Sequence, residues 1–511
     1  MDKNKKLTLN ISMNIVYLIL NYMITFFLAS YLTQELGDES YGFIGLCNNI
    51  INYSQVITVA LNSVSCRFIA IEIHRGNKKS AQEYFSSTFY ANLLLAALFS
   101  FVFIPMCINL DKIFDIPVAL VDSVKVLFFL SYLNMVVSIL QTVFNVSTLI
   151  TNEVYLTSIA NIAGSVSRII ILLILFYGWG ASLAFSGAAT LVSTGMVCIL
   201  HILYTKKLVP ELQIQRKSFS LNKIQRLFFS GIWSSISRLS QILSDGLDLV
   251  ISNVFVGALA MGQLSLAYLI PGFVISSFSM LINCFNPILT ELYAKRQMEG
   301  LKKEIKFFMK LNGFAGIILF WGLVFCGREF YMLWVPGTDT EMIYRLMLIS
   351  CMSMLVSAVV NPLSAIYVIA DKLRFYSIFN ICVSIFDIIV ELVLLKLTPI
   401  GIYAIAGVSK VVGVLVCFFF VPIYSSYCLK FDHMEFYPTM GRYFFASGMT
   451  GAVLFFIAYQ IKMRATTWPQ FVVQVIVVGS IAAICGSFFI LDKKERKRAI
   501  VLIASYIHKG R

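Results

Sequence analysis

Charged side chains are scarce in this chain: Asp, Glu, Lys and Arg make up 13% of its 511 residues, against 59% hydrophobic. That balance excludes a soluble globular domain of ordinary composition. CxxC pairs are absent, and the eleven cysteines stand singly from Cys47 to Cys485. They read as small packing residues, so neither a disulfide framework nor a thiolate metal site is expected. Histidine is rarer still; His74, His201, His433 and His508 are expected at or beyond cytoplasmic helix ends, without metal-ligand spacing. No P-loop or other nucleotide motif occurs, so no cofactor is expected. No outer loop is long enough for clustered catalytic groups, which argues against an integral membrane enzyme such as a polymerase or ligase.

Long apolar runs fill the chain instead. Fourteen stretches, from 9–33 to 469–490, are each able to cross a hydrocarbon core roughly 30 Å thick as a helix. They are continuous, unlike the short alternating segments of a membrane β-barrel. The first follows MDKNKK and is too long for a signal peptide, lacks a cleavage site, and is expected to be retained. A net charge of +14 raises the question of nucleic acid, and its placement answers it. Most Lys and Arg fall in loops assigned to the cytoplasm, which satisfies the positive-inside rule with both termini cytoplasmic. Basic stretches 206–217, 294–306 and 492–498 suit anionic lipid head groups. With no recognition motif beside the charge, a nucleic-acid partner is excluded.

The chain repeats itself at an offset of 220 residues. LGDESYGFIGL (36–46) lies over VGALAMGQLSL (256–266), so that Gly37 and Gly42 match Gly257 and Gly262. The leads DKNKK and NKIQR (222–226) also match, as do the inside loops 72–85 and 291–308. Three matches in register point to duplication. The expected fold is all-α integral membrane, with fourteen transmembrane helices in two pseudo-symmetric six-helix lobes around a central cavity, plus two C-terminal helices. The expected divisions are an N-lobe at 1–205, a linker at 206–222, a C-lobe at 223–428, and the last two spans with a basic tail at 429–511. An even helix count per lobe relates them through an axis along the membrane normal, and parallel repeats bind substrate between halves.

FFLASYLTQELGDESYGFIGLCNNIINY, NSVSCRFIAIEIHRGNKKSAQEYFSS and DGLDLVISNVFVGALAMGQLSLAY resemble the polysaccharide transporter family of the multidrug/oligosaccharidyl-lipid/polysaccharide exporter superfamily. The resemblance spans the whole chain. It implies a flippase that carries undecaprenyl-pyrophosphate-linked oligosaccharides, or related teichoic-acid units, from the inner to the outer leaflet of a bacterial cytoplasmic membrane. Two lobes would form a V and alternate its opening. Related lipid II flippases place carboxylates on helices seven and eleven at a sodium site, matched here by helix at Asp245 and Asp387. Lys410 departs from that pattern, so coupling to Na+ or H+ stays open.

Charges inside the spans carry the site expectations. Arg168, Arg238, Asp245, Asp248, Asp387, Glu391 and Lys410 together would cost roughly 20 kcal/mol facing lipid, so they face partners or water. Asp387 and Lys410 fall at similar depth on a tight hairpin turning near 398–401, an arrangement for an ion pair, with Glu391 one turn outward. Asp245 and Asp248 repel or hold a cation, and Gly246 between them marks a bend. Arg67 and Arg168 stand without an intramembrane carboxylate in the first lobe, which suits a pyrophosphate. Asn48, Asn52, Gln55 and Asn62 form a polar stripe on one face of helix two, for sugar hydroxyls or for neighbouring helices. The expected partners are the lipid-linked oligosaccharide, membrane lipids and glycan-assembly enzymes. The alternative is a cation-coupled multidrug exporter on the same scaffold.

Overall fold

A computed structural model describes residues 3–370, 372–461 and 465–498, apart from scattered side chains within the helices. The regular structure of the described residues is all helical, with no strand. The long helices are α1 (Lys3–Leu36), α2 (Asp38–His74), α3 (Lys78–Ile108), α4 (Val121–Gln141), α5 (Tyr155–Trp179) and α6 (Leu183–Leu208). Helix seven is split into α7 (Leu221–Asp245) and α8 (Asp248–Phe255). Then come α9 (Ala258–Ala294), α10 (Met298–Trp334), α11 (Thr340–Val360), α12 (Leu373–Leu397), α13 (Ile402–Leu415), α14 (Val421–Leu429), α15 (Tyr437–Ile461) and α16 (Trp468–Ile490).

Among the described residues, twelve helices are long and apolar enough to span a membrane, or thirteen when the two parts of α2, bent by 42°, count as one span. This falls short of the expected fourteen. The run expected at 227–256 is the one left over: its first part carries Ser, Gln, Arg and Asp within SRLSQILSD, and its second part is only eight residues long. Several helices also outrun the expected spans. The part of α10 before residue 307 comes from the basic stretch 294–306, where Glu and Lys in MEGLKKEIK favour continuing the helix into water.

The chain divides into two compact units, 1–262 and 263–509. In the first, α2 packs along α7, α3 and α4, while α6 packs on α4 and α5, and α1 on α5. Its apolar core gathers Leu61, Ile69, Tyr84, Phe85, Phe144 and Leu227. Hydrogen bonds tie its helices where hydrocarbon would leave amides unsatisfied. Asn92 donates to Asn62 Oδ1 at 3.0 Å and to the Ile139 carbonyl at 3.0 Å, and Thr142 Oγ1 reaches Asn62 Oδ1 at 3.2 Å. In the second unit, α10 is the hub, packed against α11, α15 and α16. Cys326, Leu454, Val478 and Ala482 form a core there.

Each unit fastens a connecting segment to one of its long helices. On α3, Gln82 and Ser86 hold the connecting segment, with Gln213 N donating to Gln82 Oε1 at 2.9 Å and Gln215 N to Ser86 Oγ at 3.1 Å. At the matching positions on α10, Lys302 and Lys306 both hold Glu435, the former at 2.7 Å. Ser86 and Gln215 stand 220 residues before Lys306 and Glu435, the offset that relates the glycines, although the first contact is to backbone and the second is an ion pair. Beside the second fastening, Arg498 forks onto both oxygens of Glu304 at 2.8 Å, and Lys310 meets Glu495 at 2.8 Å.

Candidate functional site

Helix seven breaks at Gly246, where the sequence marks a bend. α7 ends at Asp245, α8 starts at Asp248, and the first bond of α8 runs from Ile251 N to the Leu247 carbonyl at 2.9 Å. The Gly246 carbonyl therefore lies outside both ladders, and α2 supplies its donors, Asn49 Nδ2 at 3.3 Å and the Tyr53 hydroxyl. Gly246 is required by crowding: a Cβ there would meet the Ile242 carbonyl oxygen at 2.6 Å and Tyr53 Cε1 at 3.2 Å. The break also explains Asp248. Its carboxylate is 3% exposed and sits in the first turn of α8, where free N–H groups and the helix dipole favour negative charge. Arg238 is half-buried and its Nη1 donates to Gln241 Oε1 at 3.0 Å. The side chains of Asp245 and Gln55 lie outside the described residues.

Arg168 sits near the middle of α5, about 20 Å from its first residue at 1.5 Å per residue. Its side chain is half-buried with Tyr41 as an electrostatic neighbour, and among the described residues no hydrogen bond or ion pair engages its guanidinium. The opposite side of α5 is apolar. Ile159, Ile162, Val166 and Ile170 line a groove of ≈ 520 Å³ with Met13 and Met196. Arg168 is two residues from both Val166 and Ile170, about 200° around the helix, and so projects away from that groove. Arg67 is exposed about two turns before the C-terminal end of α2.

The stripe on α2 divides. Asn48 is exposed and Asn52 half-buried, whereas Asn62 donates to the Thr58 carbonyl at 2.9 Å and Asn92 Oδ1 at 3.2 Å. The Asn62 amide thus joins helices within the first unit. Asn49 and Tyr53, one position off the stripe and one turn apart, escaped notice; their spacing as a second polar pair was the available signal. His201 also differs from expectation. It lies inside α6, is fully buried, and its Nδ1 meets Gln141 Nε2 at 3.0 Å, because α6 continues seven residues beyond it. Helix seven packs in the first unit, so Asp248 shares that unit with Arg67 and Arg168.

In the second unit, Asp387 and Glu391 are 5% and 4% exposed, one turn apart on the same face of α12. The hairpin turns at 398–401 as expected, with Gly401 at φ 59°. Lys410 is half-buried on α13, and its Nζ lies 5.5 Å from the Tyr268 ring centre, a cation–π contact. Among the described residues, no group of three His, Cys, Asp or Glu could hold a metal ion.

Charged groups held inside a stack of membrane-length helices define a multi-span membrane protein, and solved structures share its fold. A lipid II flippase MurJ in an inward closed conformation aligns with a TM-score of 0.69 at 15% identity, covering 94% of this chain and 98% of that one. An inward-facing multidrug resistance MATE family transporter of the MOP superfamily aligns at 0.63 and 17% identity, covering 80% and 95%. The match that identifies the family lies in the sequence: residues 7–293 fit the polysaccharide biosynthesis protein family, and the chain belongs to it. It is also 25% identical over 502 residues to EpsK of Bacillus subtilis (strain 168), described as an uncharacterized membrane protein, covering 96% of this chain and 97% of that one.

Proposed function

We propose that this chain is a flippase that moves an undecaprenyl-pyrophosphate-linked oligosaccharide from the inner to the outer leaflet of a bacterial cytoplasmic membrane by alternating access. The cargo is the repeat unit of an O-antigen or capsule, or a related teichoic-acid unit. Membership of the polysaccharide biosynthesis family and the MurJ-like fold support this reading. The observation that carries it is Arg168, a guanidinium near mid-membrane with no hydrogen bond or ion pair among the described residues. A pyrophosphate accepts paired hydrogen bonds from such a group, and Arg stays ionised in low dielectric where Lys does not. The amides of Asn48 and Asn52 are proposed to meet sugar hydroxyls, with Arg67 and Arg238 as further phosphate donors. The polyprenyl tail stays in lipid.

Coupling to Na+ or H+ through the buried carboxylates Asp387 and Glu391 is the second part of the proposal. The same pair favours the alternative of a cation-coupled exporter, which uptake of a fluorescent cation into proteoliposomes would support. Deletion of the gene tests the main reading. A cell lacking this chain accumulates the lipid-linked oligosaccharide on the inner leaflet, and absence of that accumulation counts against a flippase.

A further inference from the structure

Both arms of helix seven are pinned. Ser235 Oγ on α7 donates to the Val56 carbonyl of α2, and on α8 Asn253 closes a two-way bond with the backbone of Asp115, accepting at 2.9 Å and donating at 3.1 Å. The joint between the arms is Gly246, eleven residues short of Gly257 and so about 16 Å from the outer end. At that depth a carbonyl outside its helix ladder must find a donor within the protein. Two donors from α2, Asn49 and Tyr53, converge on this one oxygen, which has two lone pairs to offer.

We propose that Asn49 and Tyr53 are a latch on the break of helix seven: bonded to the Gly246 carbonyl they hold the joint bent against α2, and released they let α7 and α8 change their mutual angle. The glycine is part of the device, since a Cβ at 246 would press on Tyr53 Cε1 at 3.2 Å and meet the Ile242 carbonyl oxygen at 2.6 Å, so that the joint has to shift. The latch goes beyond the transport reading, although its use during a transport cycle rests on that reading.

The test is amide hydrogen exchange on the full chain in lipid nanodiscs without substrate, so a protein that moves some other cargo still reports on the latch. Tyr53→Phe keeps the ring and removes the donor; exchange across 241–252 is expected to quicken about fivefold, while peptides of α10 and α11 are unchanged. Asn49→Ala is expected to act in the same direction. Tyr53→Phe combined with Gly246→Ala is expected to exchange no faster than the quicker single variant, because both open one contact. If Gly246→Ala does not fold, Asn49→Ala takes its place, and the pair is expected to exceed the product of the single effects, as two donors on one acceptor substitute for each other. Unchanged exchange in folded Tyr53→Phe, or independent effects in the double variant, overturns the latch.

Discussion

Gly42 and Gly262, partners in the repeat, lie backbone against backbone. A Cβ on Gly42 would fall 2.7 Å from the Cα of Gly262, and one on Gly262 would fall 2.2 Å from the Asp38 carbonyl oxygen. The duplicated motif is thus a contact made between its own two copies. Neither neighbour can yield, because both are main chain. Gly262→Ala is expected to destabilise by about 1–3 kcal/mol through overpacking. Gly272→Ala, with nothing within 4 Å of its added carbon, serves as the control. Thermal unfolding in detergent checks the pair, and equal midpoints would contradict the close crossing.

Arg168 gives a prediction about activity. Arg168→Ala should keep wild-type expression and lose flipping about tenfold or more, the scale of a charge-assisted hydrogen bond to phosphate. Arg168→Lys should recover part of it, since an ammonium supplies charge without the planar fork. Complementation of a deletion strain, read as clearance of the inner-leaflet intermediate, separates the outcomes. Full function in Arg168→Ala removes the residue from the site.

Asn62 should behave differently from Asn48. Asn62 is bonded to Asn92 and Thr142 inside the first unit. Asn62→Ala is expected to cost about 1–3 kcal/mol of stability by leaving buried partners unmet. Asn92→Ala should cost a similar amount, and the double variant less than their sum. Asn48→Ala, at an exposed position, should leave unfolding unchanged and act on transport alone.

Acid should loosen the second fastening. Hydrogen bonds from the Lys302 and Lys306 ammonium groups hold the Glu435 carboxyl below the usual glutamate range. A carboxyl with its folded pKa lowered adds stability above its unfolded pKa and loses it as pH falls through the folded value. Exchange around 430–436 is therefore expected to be slower at neutral pH and to rise below the ordinary glutamate range. Glu435→Gln should abolish that acid step. The bonds at Gln82 and Ser86 are themselves uncharged and should not contribute such a step.

Much of this was legible in the sequence because the membrane imposes coarse rules. Hydropathy located the spans and Gly246 marked the bend, while the positive φ of Gly37 and Gly257, known in the sequence only as matched positions of the repeat, is visible in the structure alone. Helix seven is the span on which expectation and structure differ, because the polar residues of SRLSQILSD keep its first part from being apolar enough to count as a membrane helix. Asn62 and Asn48 share a face in helical projection, but which amide meets a neighbouring helix depends on where α3 and α4 approach. The amino-terminal extension of α10 reads as a loop because charge marks exposure to water, and a helix can be exposed.

The connecting segment after α6 has the composition of a tether, yet Gln213 and Gln215 are stitched to α3 by backbone bonds. It is therefore a poor place to splice in an epitope or fluorescent domain, since an insertion there would tear a fastening. Val118, 93% exposed in the turn before α4, can carry such a marker without disturbing a packed surface.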